Sequence, residues 1–149
     1  MDHVDSNDDS VAPQDATIVN PHAGFSLRMT YCGGRERAML ILTPAETLWL
    51  QAYQNLLATE FPGCVEEISI FGSKARGDAR ADSDLDVLVV IRDGDWRFKE
   101  ALTRPGYDLA IGTDVVPSLH VYTVAEWEQL RKHASAFREV VERDRVMVP

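Results

Sequence analysis

Two short apolar runs flank a polar stretch in ISIFGSKARGDARADSDLDVLVV, residues 68–90. The apolar runs predict two β-strands. The first strand ends at a small polar turn, Gly72-Ser73, and the second begins beside two carboxylates, Asp84 and Asp86. Small-residue turns at strand ends can hold phosphates, and paired carboxylates can hold divalent metal ions. The stretch therefore predicts part of a sheet together with a candidate site.

Two capping motifs predict helices on either side of this stretch. Thr43-Pro44-Ala45-Glu46 combines an N-cap, a proline at the first helical position and a capping-box acid, so a helix should begin there and end before Pro62-Gly63. Thr123-Val124-Ala125-Glu126 is a second capping box. An apolar stripe should follow it, facing the core or seating a partner helix, and formed by Trp127, Leu130, Ala134, Phe137 and Val141.

Between these helices the pattern predicts one more helix and one more strand. Residues 96–111 have helical apolar spacing, but Pro105-Gly106 should kink or split that helix. Residues 118–122 should form a third core strand. We therefore expect a small α/β (α+β) fold in which these helices pack against a sheet.

The N-terminal part of the chain predicts an acidic tail and a hairpin. Residues 1–24 are polar and without periodicity, which is typical of a disordered tail. Residues 25–32 alternate apolar and polar side chains, and Gly33-Gly34 can make a two-residue turn. If residues 35–42 return, one apolar face pairs Phe25 with Leu42, Leu27 with Leu40 and Met29 with Ala38.

Composition limits the classes of function. The 149 residues suit a single domain, residues 25–149, after the tail. The net charge is −9, and −4 remains once the five aspartates of the tail are set aside, which does not favour an extended nucleic-acid surface. No apolar run reaches the roughly 20 residues of a membrane span, and the N-terminus lacks signal-peptide features, so we expect a cytoplasmic protein.

The two carboxylates have the geometry of a cation site. On a strand, Asp84 and Asp86 project from one face about 7 Å apart along the chain. Their repulsion would be roughly 2 kcal/mol at an effective dielectric constant near 20. A divalent cation would remove that cost, and Mg²⁺ usually takes one or two carboxylates together with substrate phosphates.

The turn before them could bind phosphate. Gly72 allows close backbone approach, and the hydroxyl and amide of Ser73 can donate to phosphate oxygens. Lys74 and Arg76 can add positive charge there or simply face water.

Other motifs with similar spacing fail. A P-loop would need a lysine where Asp78 stands, and an EF-hand loop would need a glycine where Val87 stands. The remaining structural alternative is a solvated strand end whose acids cap a turn.

The whole stretch resembles the signature of the minimal nucleotidyltransferases of the DNA polymerase β-like superfamily. The matching residues are FGSKARGDA, residues 71–79, and SDLDVLV, residues 83–89. The resemblance spans residues 43–148 and implies that this core is an α/β fold with a small mixed sheet flanked by helices. It further implies transfer of a nucleoside monophosphate with pyrophosphate leaving. It also implies Mg²⁺ at Asp84 and Asp86, and a nucleoside triphosphate such as ATP at Gly72 and Ser73.

The proteins that this chain resembles usually have a third carboxylate on a later strand. Here that strand reads Ser118-Leu119-His120-Val121-Tyr122 and contains no acid. Ser118, His120 or Tyr122 would occupy the position. Of the three only His120 could act as a base or metal ligand, although a lone strand histidine is more often structural. Asp114 could reach in from a loop, but a turn residue is the stronger interpretation.

These observations leave three functions open. The first is transfer of AMP from ATP to a hydroxyl of a partner protein, and the resemblance implies a small helical HEPN-type toxin as that partner. The second is a nucleotide-binding regulatory subunit with weak or no catalysis, which the missing acid favours. The third, modification of a small molecule, is less favoured because enzymes of that kind generally have an added substrate-binding region.

Overall fold

The computed structural model describes residues 26–27 and 40–149. The predicted tail, residues 1–24, and the predicted turn at Gly33-Gly34 lie outside the described residues. In chain order the described elements are β1 Ser26–Leu27, β2 Leu40–Ile41, α1 Pro44–Glu60, β3 Val65–Ile70, α2 Gly72–Arg76, β4 Leu85–Ile91, α3 Trp96–Ala110, β5 Pro117–Thr123, α4 Val124–Lys132, α5 Ala136–Asp144 and β6 Val146–Met147.

Four of these strands form a mixed sheet in the order β5, β4, β3, β6. Strands β4 and β5 are parallel and are joined through α3, since parallel neighbours need a crossover connection. Strand β3 is antiparallel to both of its neighbours, β4 and β6. The predicted fold class, a small mixed sheet flanked by helices, is confirmed. Strand β6 was not predicted because two residues are too few to show a period.

The short strands β1 and β2 form a separate antiparallel pair. Ser26 lies opposite Ile41 and Leu27 lies opposite Leu40, which is the register that the alternation predicted. Leu40 and Leu42 are both buried in the main core. The hairpin strands are therefore confirmed at the residues that the structure describes.

The central strand β4 separates two hydrophobic cores. Because successive side chains of a strand point to opposite faces, Val87 and Val89 enter one core while Leu88 and Val90 enter the other. Helices α1 and α3 cover the first core with Trp49, Leu50, Tyr53, Leu57 and Leu102. Helices α4 and α5 cover the second core with Trp127, Leu130, Phe137 and Val141.

Both predicted capping boxes are present. Glu46 N donates to Thr43 Oγ1 at 3.1 Å, and Thr43 N donates to Glu46 Oε2 at 2.8 Å. The same pair of contacts joins Thr123 and Glu126, at 3.1 and 2.8 Å. These reciprocal bonds satisfy backbone donors that a helix start leaves free. No helix in the described part of the chain has the length and apolar character needed to cross a membrane.

Two helix predictions need correction. Helix α3 is not split, because it continues from Trp96 to Ala110 with Pro105 inside it. Its packing against α1 outweighs the lost backbone bond: Trp49 Nε1 donates to the Gly106 carbonyl at 2.8 Å. The stripe that follows Thr123 lies on two helices, α4 and α5, which are separated near Ala134 with its φ of 47°.

Candidate active site

The glycine turn lies directly against the second carboxylate. Gly72 is the first residue of the short helix α2 and has a φ of +71°. A Cβ at Gly72 would lie 2.4 Å from Asp86 Oδ2, so only glycine fits without a shift. The Phe71 N–H also donates to the Asp86 carbonyl at 3.1 Å. The antiparallel pairing of β3 and β4 thus brings the end of one strand against the start of the other.

The two carboxylates have different environments. Asp84 precedes β4 and is exposed, whereas Asp86 lies within the strand and is partly buried. Burial raises the pKa of the Asp86 carboxyl above its ordinary value, and the charge of Asp84 raises it further. Three effects lower that pKa in part: hydrogen bonding from the Ser118 hydroxyl, the charge of nearby His120 and the charge of nearby Arg76. Asp86 is therefore the carboxylate that would gain most from a nearby cation.

The later strand β5 puts a serine beside this carboxylate. In the parallel register Ser118 pairs with Asp86, and His120 pairs with Leu88. Ser118 Oγ and His120 Nε2 are 3.1 Å apart. Asp114 is exposed in the connection before β5. Within residues 26–27 and 40–149, no three His, Cys, Asp or Glu side chains come together as a metal-binding group.

Aromatic side chains hold His120 at the edge of the second core. Its ring centroid lies 5.3 Å from that of Phe71 and 5.5 Å from that of Phe137. Phe71 immediately precedes the glycine turn, and Phe137 belongs to α5. The core therefore determines where the imidazole lies relative to the site.

The two predicted phosphate-binding cations, Lys74 and Arg76, form ion pairs with carboxylates. Lys74 Nζ lies 2.8 Å from Glu46 Oε1, and the two side chains are only 7% and 6% exposed. Arg76 contacts Asp78 at 3.2 Å and Asp144 at 3.1 Å. Lys74 thus fixes α2 to the start of α1, and Arg76 ties α2 to the end of α5. Arg76 nevertheless lies near enough to Asp86 to lower the pKa of its carboxyl.

Glu46 and Asp144 were missed as partners of the motif. The capping box did identify Glu46, but only as a local helix signal. Nothing in the order of residues indicates that its second oxygen accepts from Lys74, because that contact depends on how α1 packs against α2. The contact between Asp144 and Arg76 gave no sequence signal either, because it depends on how α5 packs against α2.

The donor set fits one divalent cation that is shared with a triphosphate. Asp84 and Asp86 offer hard oxygen donors, and Mg²⁺ is typically held by one or two carboxylates plus substrate phosphates. The backbone at Gly72 can approach a phosphate closely because residue 72 has no side chain. A second cation would lack a shared carboxylate, since Ser118 occupies the position beside Asp86.

Comparisons with known proteins agree with this geometry. A sequence profile of the nucleotidyltransferase domain matches residues 52–146, which include the glycine turn and both carboxylates. A Methanocaldococcus jannaschii protein, provisionally named protein adenylyltransferase, is 30% identical over 101 residues, covering 66% of this chain and 93% of that protein. The protein adenylyltransferase MntA of Thermococcus cleftensis is 46% identical over 52 residues, covering 35% of this chain and 50% of MntA.

The fold is also similar to that of solved structures. The crystal structure of a provisionally assigned nucleotidyltransferase from Sulfolobus solfataricus matches with a TM-score of 0.44 and 22% identity, over 67% of this chain and 76% of that one. The family assignment depends on the sequence profile, which covers well over half of the chain. Taken with the turn and the carboxylates that the profile includes, this match shows that the chain belongs to the nucleotidyltransferase domain family.

Proposed function

We propose that this protein transfers AMP from ATP to a hydroxyl group of a partner protein. The observation that supports this most is the contact between the glycine turn and Asp86, because it puts a phosphate-binding backbone beside a carboxylate pair. Two relatives are named protein adenylyltransferases, which supports AMP as the group and a protein as the acceptor.

Each site residue has a role in this proposal. Asp84 and Asp86 would hold Mg²⁺, and Gly72 and Ser73 would bind the β- and γ-phosphates through backbone N–H groups and the serine hydroxyl. Bound Mg²⁺ would neutralise charge on the triphosphate and on the departing pyrophosphate. The acceptor oxygen forms a bond to the α-phosphorus, while the bond from the α-phosphorus to the bridging oxygen breaks.

The acceptor that we propose to test first is a small helical HEPN-type protein, the partner that the resemblance implies. The protein would be co-expressed with the product of the neighbouring gene, and the purified mixture would receive ATP and Mg²⁺. Intact mass spectrometry should then show one added AMP on the partner. Each nucleoside triphosphate, tested separately, would identify the base that is preferred.

Matched carboxylate variants test the site itself. Asp84→Ala and Asp86→Ala should abolish the added mass, whereas Asp82→Ala should not. Asp82 is an exposed aspartate in the same connection, so it controls for a general loss of negative charge. Transfer that persists in Asp86→Ala would contradict the proposed site.

A second function is favoured by one observation, the serine beside Asp86 where the resembling enzymes have an acid. In that case the protein would bind nucleotide and control its partner by binding alone. The partner would then co-purify and keep its unmodified mass, while ATP binding to this chain would still weaken in Asp86→Ala.

A further inference from the structure

We propose that Ser118 and His120 form a proton relay that replaces the third carboxylate. Ser118 would take the proton of the acceptor hydroxyl, and His120 would take the proton that Ser118 gives up. This inference rests on the proposed function, because it concerns the same transfer of AMP to a hydroxyl. It differs from a lone histidine base or metal ligand, because His120 acts only through Ser118.

The position of Ser118 is the first step. The parallel register puts it directly opposite Asp86, so its hydroxyl lies at the side of the candidate cation site. That hydroxyl is close to two possible acceptors: the Asp86 carboxylate of its register partner, and His120 Nε2 at 3.1 Å. A serine hydroxyl has one proton and two lone pairs, so it can receive a proton on one side and donate on the other.

The position of His120 is the second step. Residues two apart on a strand share a face, so Ser118 and His120 both point toward the second core. Phe71 and Phe137 both pack against the imidazole, with ring centroids 5.3 and 5.5 Å away. This packing limits the orientations of the ring while Nε2 contacts the Ser118 hydroxyl. A nucleophile or relay hydroxyl within hydrogen-bond reach of an imidazole is the usual arrangement for proton removal.

The proposed step is balanced. The acceptor hydroxyl gives its proton to Ser118 Oγ as its oxygen bonds to the α-phosphorus. Ser118 gives its own proton to His120 Nε2 and ends as a neutral hydroxyl. Pyrophosphate leaves with the electrons of the broken phosphorus–oxygen bond, and the imidazolium then returns its proton to water.

Substitutions can separate this relay from a packing role. His120→Gln keeps a polar side chain near Ser118 but cannot accept a proton at neutral pH. We expect it to lower the rate of AMP transfer to the co-expressed partner about 100-fold, the usual range for a general base, with ATP affinity unchanged. His133→Gln is the matched control, since His133 is exposed after α4. A rate for His120→Gln equal to that of His133→Gln would overturn the relay.

A carboxylate at residue 118 should make the relay unnecessary. In the Ser118→Asp variant, the new carboxylate can accept the proton of the acceptor hydroxyl directly. Ser118→Asp/His120→Gln should therefore transfer AMP much faster than His120→Gln alone. Equal rates for those two variants would show that Ser118 and His120 do not replace a carboxylate, and this would overturn the inference.

A spectroscopic measurement tests the contact without any transfer. In ¹⁵N-labelled, nucleotide-free protein, Ser118→Ala should shift the Nε2 resonance of His120 and leave the ring resonances of His133 unchanged. His120→Gln assigns the signal by removing it. An unchanged His120 resonance would contradict the hydrogen bond on which the relay depends.

These outcomes distinguish the relay from the proposed function. If the wild-type chain modifies its partner and His120→Gln does so equally well, only the relay is wrong. If the wild-type chain binds ATP but transfers nothing to the partner, the proposed function fails and the relay fails with it.

Discussion

Gly72 and Asp86 are in direct contact: a Cβ on residue 72 would lie 2.4 Å from Asp86 Oδ2. They are fourteen positions apart in the sequence, and the antiparallel pairing of β3 with β4 brings them together. The contact makes the glycine turn and the carboxylate a single structural unit. A change at either residue should therefore alter both the fold and the site.

Gly72→Ala should destabilise the protein more than the same substitution at another glycine that has an equally positive φ. Gly63 provides that control, because it also has a φ of +71° but has no atom within 4 Å of a Cβ position. We expect Gly63→Ala to cost about 1 kcal/mol for its left-handed backbone alone. Gly72→Ala should cost more, because its Cβ meets Asp86. Urea unfolding measures both, and equal losses would contradict the contact.

Lys74→Met should destabilise the protein by about 3–5 kcal/mol, because it leaves the Glu46 carboxylate buried without its partner. Glu46→Gln/Lys74→Met should lose less, since no unpaired charge remains. Molecules of Lys74→Met that stay folded should bind ATP as the wild-type protein does. A loss of ATP affinity at unchanged stability would instead support the phosphate-binding role predicted from sequence.

Asp144→Asn should lower the melting temperature at neutral pH by about 2–4 °C. Hydrogen bonds from Arg143 and then Arg76 hold the pKa of the Asp144 carboxyl below its ordinary value. A lowered pKa stabilises the fold at pH values above the pKa of the unfolded state, which is about 4. This stabilisation is lost as the pH falls through the pKa of the folded state. Melting curves of the wild type and Asp144→Asn should thus converge in acid and separate at neutral pH. The same difference in melting temperature at all pH values would contradict this. The control is Asp93→Asn, at an exposed aspartate, which should melt like the wild type at neutral pH.

Gly106→Ala should destabilise the protein although alanine is the better helix former. An added Cβ would lie 2.7 Å from Leu119 Cδ1 and 2.9 Å from Tyr53 Cε2. In an exposed helix the same change would stabilise by about 1 kcal/mol. Thermal unfolding decides the sign, and a higher melting temperature would show that α1, α3 and β5 pack less closely than described.

Features that depend on local pattern were predictable from the sequence. The period of two gave the hairpin register that pairs Leu27 with Leu40. The resemblance, and not the local pattern, indicated that the strand at the third-carboxylate position contains Ser118 and no acid, and this strand pairs with the carboxylate strand. Both capping boxes gave the helix starts at Pro44 and Val124.

Features that depend on tertiary packing were not predictable. Proline is a helix breaker in isolation, yet contacts with α1 keep α3 continuous through Pro105. The partners of Lys74 and Arg76 come from helices distant in sequence, so the sequence did not indicate these ion pairs. The roles of Asp84 and Asp86 in binding metal and nucleotide remain predictions.

Calorimetric titration with ATP in the presence of Mg²⁺ tests most directly whether the glycine turn and the carboxylate pair form one nucleotide site. We predict that the wild type and Asp82→Ala bind with the same affinity. Gly72→Ala and Asp86→Ala should each weaken binding by at least about tenfold, which corresponds to about 1.4 kcal/mol. Equal affinities across all four proteins would contradict the account, because the nucleotide would then bind without the turn and without the carboxylate.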